Sequence, residues 1–136
     1  MIVREALVTD PRVLAAEAPA REAAALLARP HVSSVLVVGD GERLLGCVTK
    51  DAIVAAVAEG RDVGALKAGE VADPEVTTVP PDMALDEALH LMAEEGLERL
   101  AVTEGGRLLG VLPREGLVRR LAEDEPREEP VSNEPV

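Results

Sequence analysis

The sequence predicts an α+β fold in which two pseudo-symmetric β-α-β-β-α repeats pack into one module. The segment LLGCVTKDAIVAAV at Leu44–Val57 returns as LLGVLPREGLVRRL at Leu108–Leu121, a spacing of 64 residues. Such a period is longer than the roughly 20 to 50 residues of a solenoid unit, so two half-domains are expected. A chain of 136 residues with 47% hydrophobic content is large enough to form one real core. We predict repeat 1 over residues 1–62 and repeat 2 over residues 63–122.

Each copy begins with a strand and a helix. Val76 to Val79 is a β-branched run closed by two prolines, which is typical of a short strand. Asp82 is then expected to cap a helix that Gly96 ends, with one apolar face formed by Leu85, Ala88, Leu89 and Met92. In the first copy a strand at Val13 and a helix from Pro19 match these elements, with Asp10-Pro11-Arg12-Val13 facing Asp73-Pro74-Glu75-Val76.

A β-hairpin and a second helix complete each copy. The hairpins join Val35–Val38 to Leu44–Thr49 and Leu100–Thr103 to Leu108–Leu112, each around a glycine-containing turn. Thr49 is the expected N-cap of a helix that stops at Gly60. Leu117 and Leu121 lie on the matching helix of the second copy. Residues 61–67 form a polar linker between the copies.

Composition excludes several classes of function. The net charge is −12, which argues against duplex nucleic acid, and the absence of Phe, Tyr and Trp argues against single strands. Residues 123–136 hold −5 of that charge and are Pro-rich, so they are predicted to be a disordered tail. No apolar run approaches the ~20 residues that span a bilayer. With one cysteine and no secretory signal pattern, the chain is expected to be cytoplasmic.

No catalytic or metal constellation is recognisable in the sequence. His31 and His90 have no partner at a metal-ligand spacing, and Cys47 stands alone inside a predicted strand. The 26 acids are spread as on a solvated surface rather than grouped in an acid–base pair. We therefore predict no metal, no required cofactor and no enzymatic activity.

The duplicated order of strand, helix, hairpin and helix resembles the cystathionine-β-synthase (CBS) domain. The residues that carry the resemblance are Gly46-Cys47-Val48-Thr49 and Gly110-Val111-Leu112-Pro113, each leading from a hairpin into a helix. A tandem pair of such domains is a Bateman module, and the resemblance covers about residues 3 to 122. It implies a three-stranded sheet with two helices in each half, packed around a pseudo-twofold axis, and a homodimer of two modules.

The resemblance also implies an adenosine-containing ligand, such as AMP, ADP, ATP or S-adenosylmethionine, in clefts between the halves. The family's hydroxyl position is matched by Thr49, but its ribose-binding Asp, three residues later, is Ala52, and the carboxylate is displaced to Asp51. In the second copy these positions hold Pro113 and Gly116, with the acid displaced to Glu115. One helical position turns a side chain by about 100°. The expected ribose contact is therefore altered in both copies.

The candidate ligand-binding residues have ordinary structural alternatives. In the first copy Thr49 is either a ligand contact or simply an N-cap, and Lys50 either a phosphate contact at a helix N-terminus or a solvated residue. Arg99 is either a ligand contact or a surface residue whose stem covers apolar neighbours. Arg114 and Glu115 are either contacts or exposed charges at a helix start. The full candidate set is Ser33, Ser34, Thr49, Lys50, Asp51, Thr77, Thr78, Arg99, Arg114 and Glu115.

Three hypotheses for function follow, of which the first is our prediction and the second its alternative. The first is a regulatory sensor in which an adenosine-containing ligand shifts the geometry of a homodimer that an unidentified target protein recognises. The second is a structural or protein-interaction module that keeps the fold without the ligand. The third, an enzyme, is disfavoured because the sequence offers no dyad, metal cluster or phosphate loop.

Overall fold

The computed structural model describes residues 1–10 and 12–115, which form two three-stranded sheets. In each sheet a short first strand pairs in parallel with the middle strand, and the middle strand forms an antiparallel hairpin with the third. The first sheet contains β1 (Val13–Ala15), β2 (Ser34–Val38) and β3 (Leu44–Thr49). The second contains β4 (Thr78–Val79), β5 (Arg99–Glu104) and β6 (Arg107–Pro113). The predicted α+β fold class is confirmed.

Four α-helices lie among the described residues: α1 (Ala20–Leu27), α2 (Lys50–Ala58), α3 (Ala68–Val71) and α4 (Leu85–Glu95). The short α3 was not predicted, because its four residues lie next to the segment interpreted as a polar linker. Within that linker, Val63–Ala65 form a 3-10 turn. No helix of the described chain is long and apolar enough to cross a membrane. The helix predicted at Leu117 and Leu121 and the tail at 123–136 lie outside the described residues.

The helix ends follow the predicted signals, with one exception. Thr49 caps α2, and Gly96 ends α4 in the left-handed conformation at φ 65°. The prediction that Asp82 caps α4 is wrong, because the helix begins at Leu85 with Ala84 as its N-cap residue. The N–H of Leu85 donates instead to the carbonyl of Met1 at 3.0 Å. The chain's own N-terminal segment thus satisfies one of the four N–H donors that have no partner within the first turn of a helix.

The two repeats exchange the segments that precede their first strands. Val3 is fully buried in the core of repeat 2, and Val8 pairs with Val111 of β6. In the same way Ala68 and Val71 of α3 are buried in the core of repeat 1, and Asp73 pairs with Cys47 of β3. Each repeat therefore completes its core with residues that precede the first strand of the other repeat.

Strand pairing also corrects the alignment of the two copies. Val13 pairs with Leu36, and Thr78 pairs with Ala101, so Val13 corresponds to Thr78 rather than to Val76. The bridges between the repeats give the same alignment, because Val8 pairs with Val111 and Asp73 pairs with the equivalent residue Cys47. The two Asp-Pro steps are thus not equivalent. Asp10 corresponds to Glu75, and Arg12 corresponds to Thr77.

Candidate ligand cleft between the two repeats

A third apolar cluster joins the two sheets, and it floors a cleft of about 500 Å³ between the repeats. Leu36 comes from β2, Ala101 from β5 and Val111 from β6, and all three are buried. Both repeats contribute to the walls. The lining consists of Ser33, Ser34, Leu36, Cys47 and Thr49 from repeat 1, with Glu75, Val76, Thr77, Gly96, Leu97, Glu98, Arg99, Ala101 and Val111 from repeat 2.

The structure brings together half of the predicted site residues. Ser33, Ser34, Thr49, Thr77 and Arg99 all line this cleft. Lys50 instead faces a smaller adjoining pocket of about 290 Å³ that also contains His31 and Glu98.

The remaining four predicted residues lie elsewhere. Asp51, Thr78, Arg114 and Glu115 are exposed and absent from the cleft lining. Thr78 follows Thr77 in an extended segment, and neighbouring side chains of such a segment point in opposite directions. Asp51 is one position short of Ala52 on α2, which turns its carboxylate away as the helical geometry predicts.

Thr49 is both a helix cap and a cleft residue. Its Oγ1 accepts a hydrogen bond from the N–H of Ala52 at 3.1 Å. A threonine hydroxyl has one donor and two acceptor positions, so the cap leaves its proton available to a ligand. Thr77 differs, because its hydroxyl donates to Oε1 of Glu95 at 2.8 Å.

Arg99 connects the two repeats at the edge of the cleft. Its Nη2 donates to the backbone oxygen of Ser34 at 2.6 Å and to Oγ of Ser34 at 3.1 Å. Its Nη1 forms an ion pair with Oδ2 of Asp10. Burial lowers the pKa of the Arg99 guanidinium, but arginine starts so high that it stays charged. The interpretation of Arg99 as a surface residue is therefore wrong, because its side chain is 11% exposed. Its role as a ligand contact stays a prediction, since it lines the cleft.

Asp10 is the residue that sequence reasoning missed. Its side chain is 1% exposed, and its Oδ1 accepts from the backbone N–H of Arg12 at 2.9 Å and from Nε of Arg12 at 3.1 Å. The Asp-Pro step was visible in the sequence, but it was aligned with Asp73-Pro74, which is not its structural equivalent. The buried Asp10 and the exposed Asp73 therefore have different roles.

Cys47 also lines the cleft, and its thiol is less readily ionised than that of a free cysteine. Burial, and then the neighbouring charge of Asp73, raise the pKa of its thiol above the usual value. A thiol is nucleophilic mainly as the thiolate, so this environment disfavours a catalytic role. Within residues 1–10 and 12–115, no three His, Cys, Asp or Glu side chains are grouped so that they could hold a metal ion.

This architecture of two sheets, with exchanged leading segments and a shared cleft, defines a tandem pair of CBS domains. The sequence model of the CBS domain matches residues 3–59 and again residues 68–123. The chain therefore belongs to the CBS-domain family, as its resemblance indicated.

Relatives of known sequence agree with that assignment. Hypoxic response protein 1 of Mycobacterium tuberculosis is 31% identical over 103 residues, which cover 74% of this chain and 72% of the relative. The CBS domain-containing protein YhcV of Bacillus subtilis is 30% identical over 111 residues, covering 81% and 78%. The uncharacterized protein MK0525 of Methanopyrus kandleri is 28% identical over 94 residues, which cover 67% of this chain. The match spans about half, 48%, of that longer relative.

Solved structures share the fold. Hypoxic Response Protein I with two coordinated zinc ions superposes with a TM-score of 0.72 at 23% identity, covering 88% of this chain and 98% of that one. CBSX2 in complex with AMP gives 0.71 at 22% identity, covering 90% and 96%. The CBS domain pair of MJ0100 in complex with 5-methylthioadenosine and S-adenosyl-L-methionine gives 0.67 at 20% identity, covering 92% and 98%.

Proposed function

We propose that this protein is a non-enzymatic regulatory module that binds an adenosine-containing ligand in the cleft between its repeats. Ligand binding changes the geometry of a homodimer, and a partner protein responds to that change. The observation that carries the proposal is the cleft of about 500 Å³, which lies within the range of roughly 300 to 1,000 Å³ typical of small-molecule sites. The AMP complex of CBSX2 and the S-adenosylmethionine complex of MJ0100 support the choice of ligand class.

The cleft has the parts that such a ligand requires. Leu36, Val76 and Ala101 provide apolar surface for the adenine ring. Thr49 offers a hydroxyl proton at one end. The ribose-binding acid of the family is replaced by Ala52 in this chain. Glu75 and Glu98 are exposed residues of the cleft lining, and their carboxylates are the candidate acceptors for ribose hydroxyls.

The charges of the lining favour one member of the ligand class. Within the described chain the charged lining residues are Glu75, Glu98 and Arg99, and Arg99 is already paired with Asp10. A triphosphate would meet two carboxylates and a neutralised guanidinium, whereas a sulfonium cation would be attracted. We therefore expect S-adenosylmethionine to bind more tightly than AMP, and AMP more tightly than ATP.

The direct test is calorimetric titration of the full chain with S-adenosylmethionine, AMP, ADP, ATP and GTP, together with a dye-based thermal shift. A ligand at 100 times its dissociation constant stabilises the fold by about 2.7 kcal/mol, which raises Tm by several degrees. Thr49→Ala should lose about 1 kcal/mol of fold stability along with ligand affinity, while Thr49→Ser should retain both. A panel without binding would leave the alternative of a ligand-free interaction module.

A further inference from the structure

The two repeats place different side chains at corresponding positions of the inter-repeat interface. Ser34 of β2 pairs with Thr49, and Arg99 of β5 pairs with Pro113, so Ser34 corresponds to Arg99 and Thr49 to Pro113. By strand register, three residues of the open cleft, Ser34, Glu75 and Thr77, correspond to Arg99, Asp10 and Arg12 of the other repeat. Of these three counterparts, Arg99 also reaches the lining of the open cleft.

Those three residues form a closed cluster around one carboxylate. Asp10 is 1% exposed at its side chain, Arg99 is 11% exposed and Arg12 is 27% exposed. Arg12 donates through its backbone N–H and its Nε, and Arg99 pairs with the second carboxylate oxygen. Arginine side chains bind carboxylate and phosphate groups with the same charge-assisted hydrogen bonds, so this cluster has the chemistry of an anion site. Pro113, at the position of Thr49, provides no hydroxyl.

We propose that Asp10 is an internal anion that occupies the second inter-repeat cleft. One chain therefore takes one ligand, on the Thr49 side. Arg12 and Arg99 form an anion site of phosphate-binding chemistry that becomes available when the Asp10 carboxylate is removed. The expectation of one ligand per chain rests on the proposed function. The anion site is argued only from the contacts of Asp10 with Arg12 and Arg99.

A purely structural ion pair makes a different prediction. If Asp10 merely joined the repeats, its removal would leave the buried Arg99 without a counter-charge and destabilise the fold, and the repeats would close over the vacated space. Such a protein would bind anions no better than the wild type does. Anion binding, and not stability alone, therefore separates the two accounts.

The experiment titrates pyrophosphate into the full-length wild type, Asp10→Ala and Asp73→Ala by calorimetry. Asp73 is a matched control because it also accepts the N–H two residues later, at 3.0 Å, but is exposed. We expect Asp10→Ala to bind one pyrophosphate per chain about tenfold more tightly than the wild type, as charge-assisted hydrogen bonds allow. Asp73→Ala should match the wild type, and Asp10→Ala/Arg99→Met should lose the gain.

Asp10→Ala could fail to fold, so a second variant and a second measurement are included. Asp10→Asn keeps an acceptor for the N–H of Arg12 while removing the charge, so it should show the same gain in a more stable protein. Pyrophosphate should also raise the Tm of both Asp10 variants by several degrees more than that of the wild type. No gain in either Asp10 variant, or an equal gain in Asp73→Ala, would overturn the proposal.

Titration of the wild type with S-adenosylmethionine and AMP tests the single-ligand part. One bound molecule per chain supports it, and two overturn it. If no adenosine compound binds but the Asp10 variants gain pyrophosphate, the proposed function fails while the internal anion site stands. If adenosine compounds bind but no variant gains pyrophosphate, the proposed function stands and the internal anion is rejected.

Discussion

Cys47 gives a residue-level test of the cleft because it is the one cysteine of the sequence and its side chain lines the cavity. Its pKa is raised, so at a given pH a smaller fraction is thiolate than for a free cysteine. We expect iodoacetamide to alkylate it more slowly than a cysteine peptide, with a rate that rises only at higher pH. A ligand in the cleft should slow the reaction further. Mass spectrometry of timed samples measures both effects.

Unfolding provides the control for this measurement. In concentrated urea Cys47 should react like the free peptide, because both the burial and the charge of Asp73 are lost. A pH midpoint at or below that of the peptide would contradict the environment described for the thiol. Protection by GTP equal to that by an adenosine compound would indicate unspecific occupancy.

Individual residues differed in how far the sequence could define them. The position of Thr49 followed from local signals, since a hydroxyl between a strand and a helix is a cap wherever the helix forms. Arg99 was identified as a site candidate, but its burial was not. Its partner Asp10 lies 89 positions away in the chain, and no local pattern connects the two. Long-range ion pairs depend on how the repeats pack.

Two glycines at the element scale mark where each exchanged segment crosses the other repeat. A Cβ on Gly46 would collide with the backbone oxygen of Asp73, and one on Gly110 would lie 2.7 Å from the backbone oxygen of Val8. Those carbonyls belong to residues that pair with Cys47 and Val111, so they cannot move without breaking the pairing. We expect Gly46→Ala and Gly110→Ala each to destabilise the fold by about 1 to 3 kcal/mol in urea unfolding.

Gly39→Ala is the matched control for these variants. Its Cβ would approach the side chain of Leu45 at 3.1 Å, and its φ of −109° is accessible to any residue. Because Leu45 is 40% exposed, its side chain can move aside. Stability losses in Gly46→Ala and Gly110→Ala no larger than in Gly39→Ala would contradict the close crossing.

The elements themselves were largely predictable, whereas the exchange between repeats was not. Hydrophobic periodicity and glycine turns located α1, α2, α4 and both hairpins. The segment of α3 is too short and too mixed in composition for a helical period to be visible. Its burial in repeat 1 arises because Ala68 and Val71 cover a core made largely of alanine and valine. The alignment of the Asp-Pro steps was wrong for a related reason, since strand pairing determines the register.

At the scale of the whole molecule, duplication was the strongest signal, because two copies of one pattern constrain each other. It indicated the fold class and the family, and the cleft followed from the pseudo-twofold packing. It could not reveal how the side chains at equivalent positions of the inter-repeat interface differ in their contacts. Arg99 pairs with Asp10, whereas Ser34, at the equivalent position, accepts a hydrogen bond from Arg99. Symmetry in a sequence therefore predicts a backbone better than it predicts the side-chain contacts between the repeats.

The outer face of α2 is the candidate surface for the proposed homodimer. Val54 is 64% exposed and Val57 is 59% exposed, the two highest values among the large hydrophobic side chains of the described residues. They are three positions apart and so share one helix face, and Val54 also borders an apolar groove of about 310 Å³ between α1 and α2. Two copies related by a twofold axis would cover this face on both partners.

We expect Val57→Glu to convert the protein into a monomer, because a carboxylate would be buried against its symmetry mate without a partner. Sedimentation equilibrium should then give the chain mass of 14.3 kDa in place of twice that value. Leu45→Glu, at another exposed apolar residue away from α2, should remain dimeric. A wild type that sediments as a monomer at micromolar concentration would reject the dimer, and an unchanged dimer in Val57→Glu would place the interface elsewhere. A monomeric variant that still binds its ligand would show that the cleft functions within one chain.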